Sequence, residues 1–211
     1  MATETGIVLA LESAVSGGSI SLIRDCAEIA NHIGKSVMAK AEHLLVDIDA
    51  LLKSNSLVVD DITLIAASAG PGSFTGIRIG IATALGLKTG LDAAMASESA
   101  LKAMASAYPG HACLTVAVPA GRDAVCVQEF DTTTGEAVEA DNARTERESN
   151  VLAAVSTSQG TRWLLHADLF ERASDTGNAI DFGRNIAFAL GRLCDRDPRP
   201  QTPPIFISKS F

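Results

Sequence analysis

The chain has 211 residues, 47% hydrophobic and 20% charged, with a net charge of −8, which excludes a disordered chain and allows one large domain or two small ones. Acidic residues outnumber basic ones in both halves, 11 to 7 over residues 1–106 and 14 to 10 over 107–211, which excludes nucleic-acid binding by phosphate neutralisation alone. No apolar run approaches the roughly 20 residues that span a bilayer, and the scattered Cys26, Cys113, Cys126 and Cys194, with no CxxC pair and no secretory apolar stretch at the start, predict reduced thiols in a cytoplasmic protein.

The first apolar run, Gly6 to Leu11, is followed by a Gly17-Gly18 pair and a second run, Ser19 to Ile23, which together predict a β-hairpin. A third strand is expected around Glu28 to Ile33. In Ala41 to Lys53 the residues Leu44, Leu45, Ile48, Leu51 and Leu52 form one stripe of an amphipathic helix, with Asp47, Asp49 and Lys53 opposite. Ile62 to Ala69 reads as a strand, Gly70-Pro71-Gly72 as a loop, and about Thr75 to Thr89 as a helix. The second half opens like the first: Ala112 to Val118, a Pro119-Ala120-Gly121 turn, then Ala124 to Phe130. Two hairpin-first halves suggest an internal duplication. Asp131 to Asn150 is polar and predicts one weak strand and a mobile loop. Thr161 to His166 predicts another strand, and Asp181 to Asp195 a helix with Phe182, Ile186, Ala189, Leu190 and Leu193 inward. Pro198, Pro200, Pro203 and Pro204 exclude a regular helix in the tail.

The sharpest local signal is Gly70-Pro71-Gly72-Ser73-Phe74-Thr75-Gly76-Ile77-Arg78-Ile79-Gly80, between a strand and a helix. Glycines there let the backbone turn tightly and approach a ligand, and a helix N-terminus attracts anions. The run is neither a P-loop, which needs Lys where Ile77-Arg78 stands, nor the dinucleotide pattern, which it misses by one residue. Two readings stay open: anion binding through Gly72, Ser73 and Thr75, or a Ser73 or Thr75 helix cap with glycines that permit close packing. Gly76, Gly80 and Ala84 recur every fourth residue and predict a smooth helix face, for the helix Ala41 to Lys53 or for another subunit. Glu12, Ser13 and Ser16 in the first turn could place a carboxylate near a phosphate-bound metal. The second turn has no carboxylate until Asp123. His32, His43, His111 and His166 are scattered and form no metal set, and no serine sits in a GxSxG elbow.

The GPGSFTGIRIG string, with the opening IVLALESA and its Gly-Gly hairpin, the LL-x-x-I-x-x-LL spacing from Leu44, Gly90-Leu91-Asp92 and the AVPAGRDAVCVQEF hairpin, resembles the TsaB (YeaZ) family over roughly the first 130 residues. The resemblance implies an α/β, actin-like (ribonuclease H-like) ATPase fold with two related lobes, residues 1–106 and 107–211, the C-terminal tail packing back on the first. It implies a non-catalytic role beside a TsaD-like subunit and a TsaE-like ATPase in making N6-threonylcarbamoyladenosine in tRNA. The partner does the chemistry, ATP or ADP belongs to the complex, tRNA is met only indirectly, and the chain pairs with itself when its partner is absent. The partner surface expected on this basis includes Leu44, Leu45, Ile48, Gly76, Gly80 and Ala84, and the membrane is not involved.

Against the family pattern, Glu12 stands where an Asp is usual, Pro119 replaces the usual Asp opening the second hairpin, Lys40 a His, and Ile205-Phe206-Ile207 the Tyr-Leu-Arg-like ending. The first two weaken any case for catalysis. Two other classes compete with this reading: an M22-type glycoprotease-like peptidase, for which the sequence offers no nucleophile–base pair or metal cluster, and a small-molecule kinase of the actin-like superfamily, which rests on fold analogy alone.

Overall fold

The computed structural model describes residues 6–34, 41–158, 160–173, 177–198 and 205. Strand β1 (Ile7–Glu12) is buried at every position, the pattern of a central strand covered on both faces. It pairs antiparallel with β2 (Ser19–Arg24), which pairs antiparallel with β3 (Ala27–Ile33). On its other side β1 runs parallel to β4 (Ile62–Ser68), and β4 parallel to β5 (Ala94–Glu98). The order is β3-β2-β1-β4-β5.

The second sheet repeats this plan. Strand β6 (Leu114–Pro119) pairs antiparallel with β7 (Ala124–Asp131), and the short β8 (Val138–Glu139) and β9 (Arg144–Arg147) add antiparallel to β7. Strands β10 (Arg162–His166) and β11 (Ala179–Gly183) continue in parallel on the far side of β6. Each half is thus an antiparallel hairpin with two parallel strands beyond its first strand, so the duplication expected from the hairpins is present in the topology.

The period of two along β1 divides the core. Ile7, Leu9 and Leu11 face helices α1 (Ala41–Ser54) and α2 (Phe74–Gly90), whose Leu44, Ile48, Leu52 and Ala84 join one cluster with them. Val8 and Ala10 face the other way, with Leu64 and Ala66, onto Ala103 of α3 (Ala100–Ser106) and Ala187, Ala189 and Leu190 of α6 (Ile186–Arg196). Helix α3 turns Leu101, Met104 and Ala105 to Leu114, Val116 and Phe130 of the second sheet. Helices α3 and α6 therefore lie between the two sheets. Helices α4 (Glu148–Thr157) and α5 (Ala167–Phe170) cover the outer face of the second sheet, where Val151, Val155 and Leu169 meet Ala117, Val125 and Val127.

Three segments depart from the sequence reading. The helix expected over Asp181 to Asp195 is a strand to Gly183 and a helix only from Ile186. Gly183 takes φ 85°, its N–H is held by Asp181 Oδ1 at 2.8 Å, and Asn185 caps the new helix by accepting from Phe188 N. Phe182 consequently sits on the strand. The polar stretch after Asp131 holds two short strands and the start of α4, organised by Asp141, which accepts from Glu129 N at 2.8 Å and also pairs with Arg144. Strand β5 and helix α3 have no clear signal in the sequence, because their short Ala-rich runs carry little periodicity. Pro200, Pro203, Pro204 and Lys40 lie outside the described residues.

The seat of α6 on the first sheet depends on Gly191. A β-carbon there would run into Ile23 Cδ1 and come within 2.9 Å of Ala10 Cβ. Gly191→Val is expected to lower stability by about 2 kcal/mol through overpacking, read as an earlier urea midpoint. An unchanged midpoint would show that the helix does not rest on the sheet this closely.

Candidate functional site

The Gly70–Gly80 segment joins β4 to α2 and is gripped from several sides. Gly70 adopts φ 91°, a conformation that favours glycine, and precedes a cis peptide to Pro71. Its carbonyl accepts from Ala100 N at 2.8 Å, and its N–H donates to Ser68 Oγ at 3.2 Å. Ala69 N donates to the Glu98 carbonyl, and the Ala69 carbonyl accepts from Ile205 N at 2.7 Å.

The turn between β1 and β2 fills the concave side of this loop. Ser73 N donates to the Ala14 carbonyl at 2.7 Å, and Ser13 Oγ donates to the Gly76 carbonyl at 2.8 Å. A β-carbon at Gly72 would collide with the Ala14 carbonyl, one at Gly76 with the Ser13 carbonyl, and one at Gly80 with Ser13 Oγ. The glycines make room for the chain's own turn. Ser73 caps α2 by accepting from Gly76 N at 3.3 Å, while Thr75 is exposed.

On the smooth face, Gly76 and Gly80 therefore meet a turn, while Ala84 joins Leu44, Ile48 and Leu52 of α1, and all three are buried within the chain. Leu44 and Ile48 are buried in the core beneath α1. Of the six residues expected at a partner surface, Leu45 is the exposed one, at 54%; Val46, Phe74 and Leu85 are exposed nearby in the sequence of the same helices. Arg78 lies over the Phe74 ring at 3.6 Å.

Glu12 is turned inward and is only 2% exposed. Its Oε1 accepts from Ala14 N at 2.6 Å and Val15 N at 2.9 Å, so the carboxyl builds the turn. Burial pushes its pKa up to about 7, against the lowering effect of those two amides. The carboxyl is directed into its own turn. At the equivalent turn of the second half, Pro119 is buried at the end of β6 and Asp123 is exposed with φ 53°.

Other groups are equally committed. His166, buried at the end of β10, caps α5 by accepting from Asp168 N, and burial pushes its pKa down to about 4. Burial raises the Cys126 thiol to about 11 and Cys194 to about 12, leaving neither a nucleophile at neutral pH. Among the described residues no group of three or more His, Cys, Asp or Glu is placed to hold a metal ion. The sequence reading missed the β5–α3 junction, where Glu98 Oε1 accepts from Ser99 N and its Oε2 pairs with Lys102 Nζ at 3.0 Å. Its signal was present: Ser99 as a cap and a Glu–Lys pair four residues apart.

Two sheets of one plan, with interior helices shared between them, define an α/β protein of the actin-like ATPase fold. Solved structures agree on the fold: YeaZ from Pseudomonas aeruginosa superimposes with a TM-score of 0.70 at 22% identity, over 96% of this chain and 100% of that one. The ethanolamine utilization protein EutJ from Carboxydothermus hydrogenoformans gives 0.54 at 9% identity, over 91% and 90%. Residues 27–160 match the family model described as TsaD: tRNA N6-adenosine threonylcarbamoyltransferase. The tRNA threonylcarbamoyladenosine biosynthesis protein TsaB of Escherichia coli (strain K12) is 33% identical over 46% of this chain and 42% of its own length. TsaB of Buchnera aphidicola is 37% identical over 40% and 38%. The matches thus span about two fifths of these curated relatives. The chain belongs to the TsaD-related family that the model describes, with the TsaB/YeaZ proteins.

Between about pH 4.5, where an unfolded glutamate titrates, and about 7, the folded chain holds the extra proton on Glu12, so its contribution to stability falls as pH rises through that window. His166 acts in the opposite sense between about 4 and 6.5, so Glu12 is isolated by comparison with Glu12→Gln, which keeps an acceptor oxygen for the turn. The wild type is expected to lose up to about 3 kcal/mol relative to this variant from pH 4.5 to 7, measured by urea unfolding. Parallel pH profiles would show that Glu12 is not buried as described.

Proposed function

We propose that this chain is a non-catalytic supporting subunit in the synthesis of N6-threonylcarbamoyladenosine in tRNA, working beside a TsaD-like subunit that carries out the transfer and a TsaE-like ATPase. The observation that carries this reading is the β1–β2 turn seated in the glycine loop. With Ser13 and Ala14 packed against Gly72, Gly76 and Gly80, and Glu12 bound to its own turn, the groups that would handle a phosphate and its metal are engaged in structure. The family match and the TsaB relatives supply the pathway.

In this reading ATP or ADP belongs to the assembled complex, with Gly72, Ser73 and Thr75 shaping the interface near it. The net charge of −8 leaves tRNA to the partner. The partner surface is the exposed part of α1 and α2, where Leu45, Val46, Phe74 and Leu85 put apolar side chains in water. The same surface receives a second copy of the chain when the partner is absent. The buried Leu44, Ile48, Gly76, Gly80 and Ala84 hold that surface in shape from beneath.

The test is co-purification with the TsaD-like protein of the same organism, with tRNA threonylcarbamoylation assayed with and without this chain. A stable complex and dependent activity are expected. The double variant Leu45→Glu/Leu85→Glu is expected to weaken association by about tenfold or more and to lower activity in step, with an unchanged melting curve. Undiminished association would remove the α1–α2 surface, and activity independent of the chain would remove the proposed role.

A further inference from the structure

A cavity of about 640 Å³ opens at the other end of α3 from the glycine loop. The loop contacts the N-terminal end of α3 through Ala100. The cavity is lined by the residues that follow its last turn, by Phe182 of β11 and by one side of α6. The seven residues of α3, at about 1.5 Å each, separate the two places by roughly 10 Å. The volume lies in the range of small-molecule sites, about 300–1,000 Å³.

Its lining differs from the rest of the molecule in two ways. The chain has nine aromatic side chains (seven Phe, one Trp, one Tyr), and Tyr108, Phe182 and Phe188 all line this one cavity. Tyr108 and Phe182 form a tilted pair with ring centroids 6.2 Å apart. The chain is strongly acidic, yet among the described residues the lining contains Arg192 and Arg196 and neither Asp nor Glu. Arg196 stands in the last turn of α6, where a cation complements the helix dipole. Arg192 has no such duty. Its guanidinium carbon lies 5.7 Å from the Phe188 centroid, and its buried Nε has no hydrogen-bond acceptor among the described residues. A buried donor left unmatched costs stability, and an oxygen atom delivered into the cavity would satisfy it.

From these features we infer that the α3–α6 cavity is a binding site for a small anion carrying a flat ring, with nucleoside monophosphates as the fitting class. The planar guanidinium of Arg192 suits a phosphate in forked geometry. The three rings offer faces and edges for stacking a base, which tolerates any base because each has a π-face. This site goes beyond the subunit role proposed above, and it is not part of the α1–α2 surface.

The four nucleoside 5′-monophosphates are titrated into the purified chain, followed by calorimetry and by backbone amide shifts. Saturable binding with a Kd on the order of 0.1 mM is expected, with shifts at Tyr108, Phe182 and Phe188. The free nucleosides and inorganic phosphate should each bind about tenfold more weakly or worse, since each lacks one half of the recognition. Arg192→Met keeps the apolar stem and removes the donors, and should lose about tenfold in affinity with a melting point that holds or rises, since the unmatched donor is gone; Arg192→Lys should recover part of the affinity. If Arg192→Met does not fold, Phe188→Leu, which removes the ring beside it, carries the same expectation. No saturation up to millimolar nucleotide, equal binding of nucleosides, equal binding of phosphate, or shifts confined to the Gly70–Gly80 loop would each overturn the inference. Each would leave the co-purification and tRNA assays unaffected, so failure here is distinct from failure of the subunit role.

Discussion

The close approach of the Ser13–Ala14 backbone to the first two turns of α2 is the contact on which the rest of the first half depends. It places a turn where side chains at Gly72, Gly76 and Gly80 would otherwise stand, and it uses two hydrogen bonds, Ser73 N to the Ala14 carbonyl and Ser13 Oγ to the Gly76 carbonyl. Backbone can approach helix backbone this closely only where no β-carbon intervenes. Glu12 completes the arrangement by drawing the turn back over its own carboxyl, which is why a titratable group is buried there at all.

That contact has a chemical consequence. A strand, a glycine loop and a helix N-terminus make an anion site when the loop amides point into open space. Here Ser73 N already has an acceptor, and the nearest carboxyl is inside the turn. The glycines at 72, 76 and 80 therefore serve packing in this chain, and Leu45, Val46, Phe74 and Leu85 are among the large apolar side chains left exposed. The supporting role proposed for the chain rests on this exchange of roles.

The second organising feature is the sharing of α3 and α6 between the sheets. Each helix follows or precedes strands of one half and packs on strands of the other: α3 turns Met104 to the second sheet, and α6 lays Gly191 on the first. Small residues make this possible, since Ala103, Ala187, Ala189 and Gly191 let both helices come near a sheet. The aromatic rings fall where that close packing ends, at the C-terminal side of α3, and they line the cavity with Arg192.

The sequence by itself determined the elements whose cause is local: the β1–β2 and β6–β7 hairpins, the α1 stripe, and the strand–glycine–helix unit with Ser73 at its cap. Each is written in neighbouring residues as a period, a turn pair or a capping side chain. Only the tertiary structure decided what those elements face. Glu12 turned inward, Gly76 and Gly80 met a turn instead of a helix, Phe182 went to a strand, and Arg192 was left with a buried Nε that has no acceptor among the described residues. These outcomes depend on atoms brought together from distant parts of the chain, such as Ser13 and Gly76, or Tyr108 and Phe188, and no local pattern encodes the distance between them.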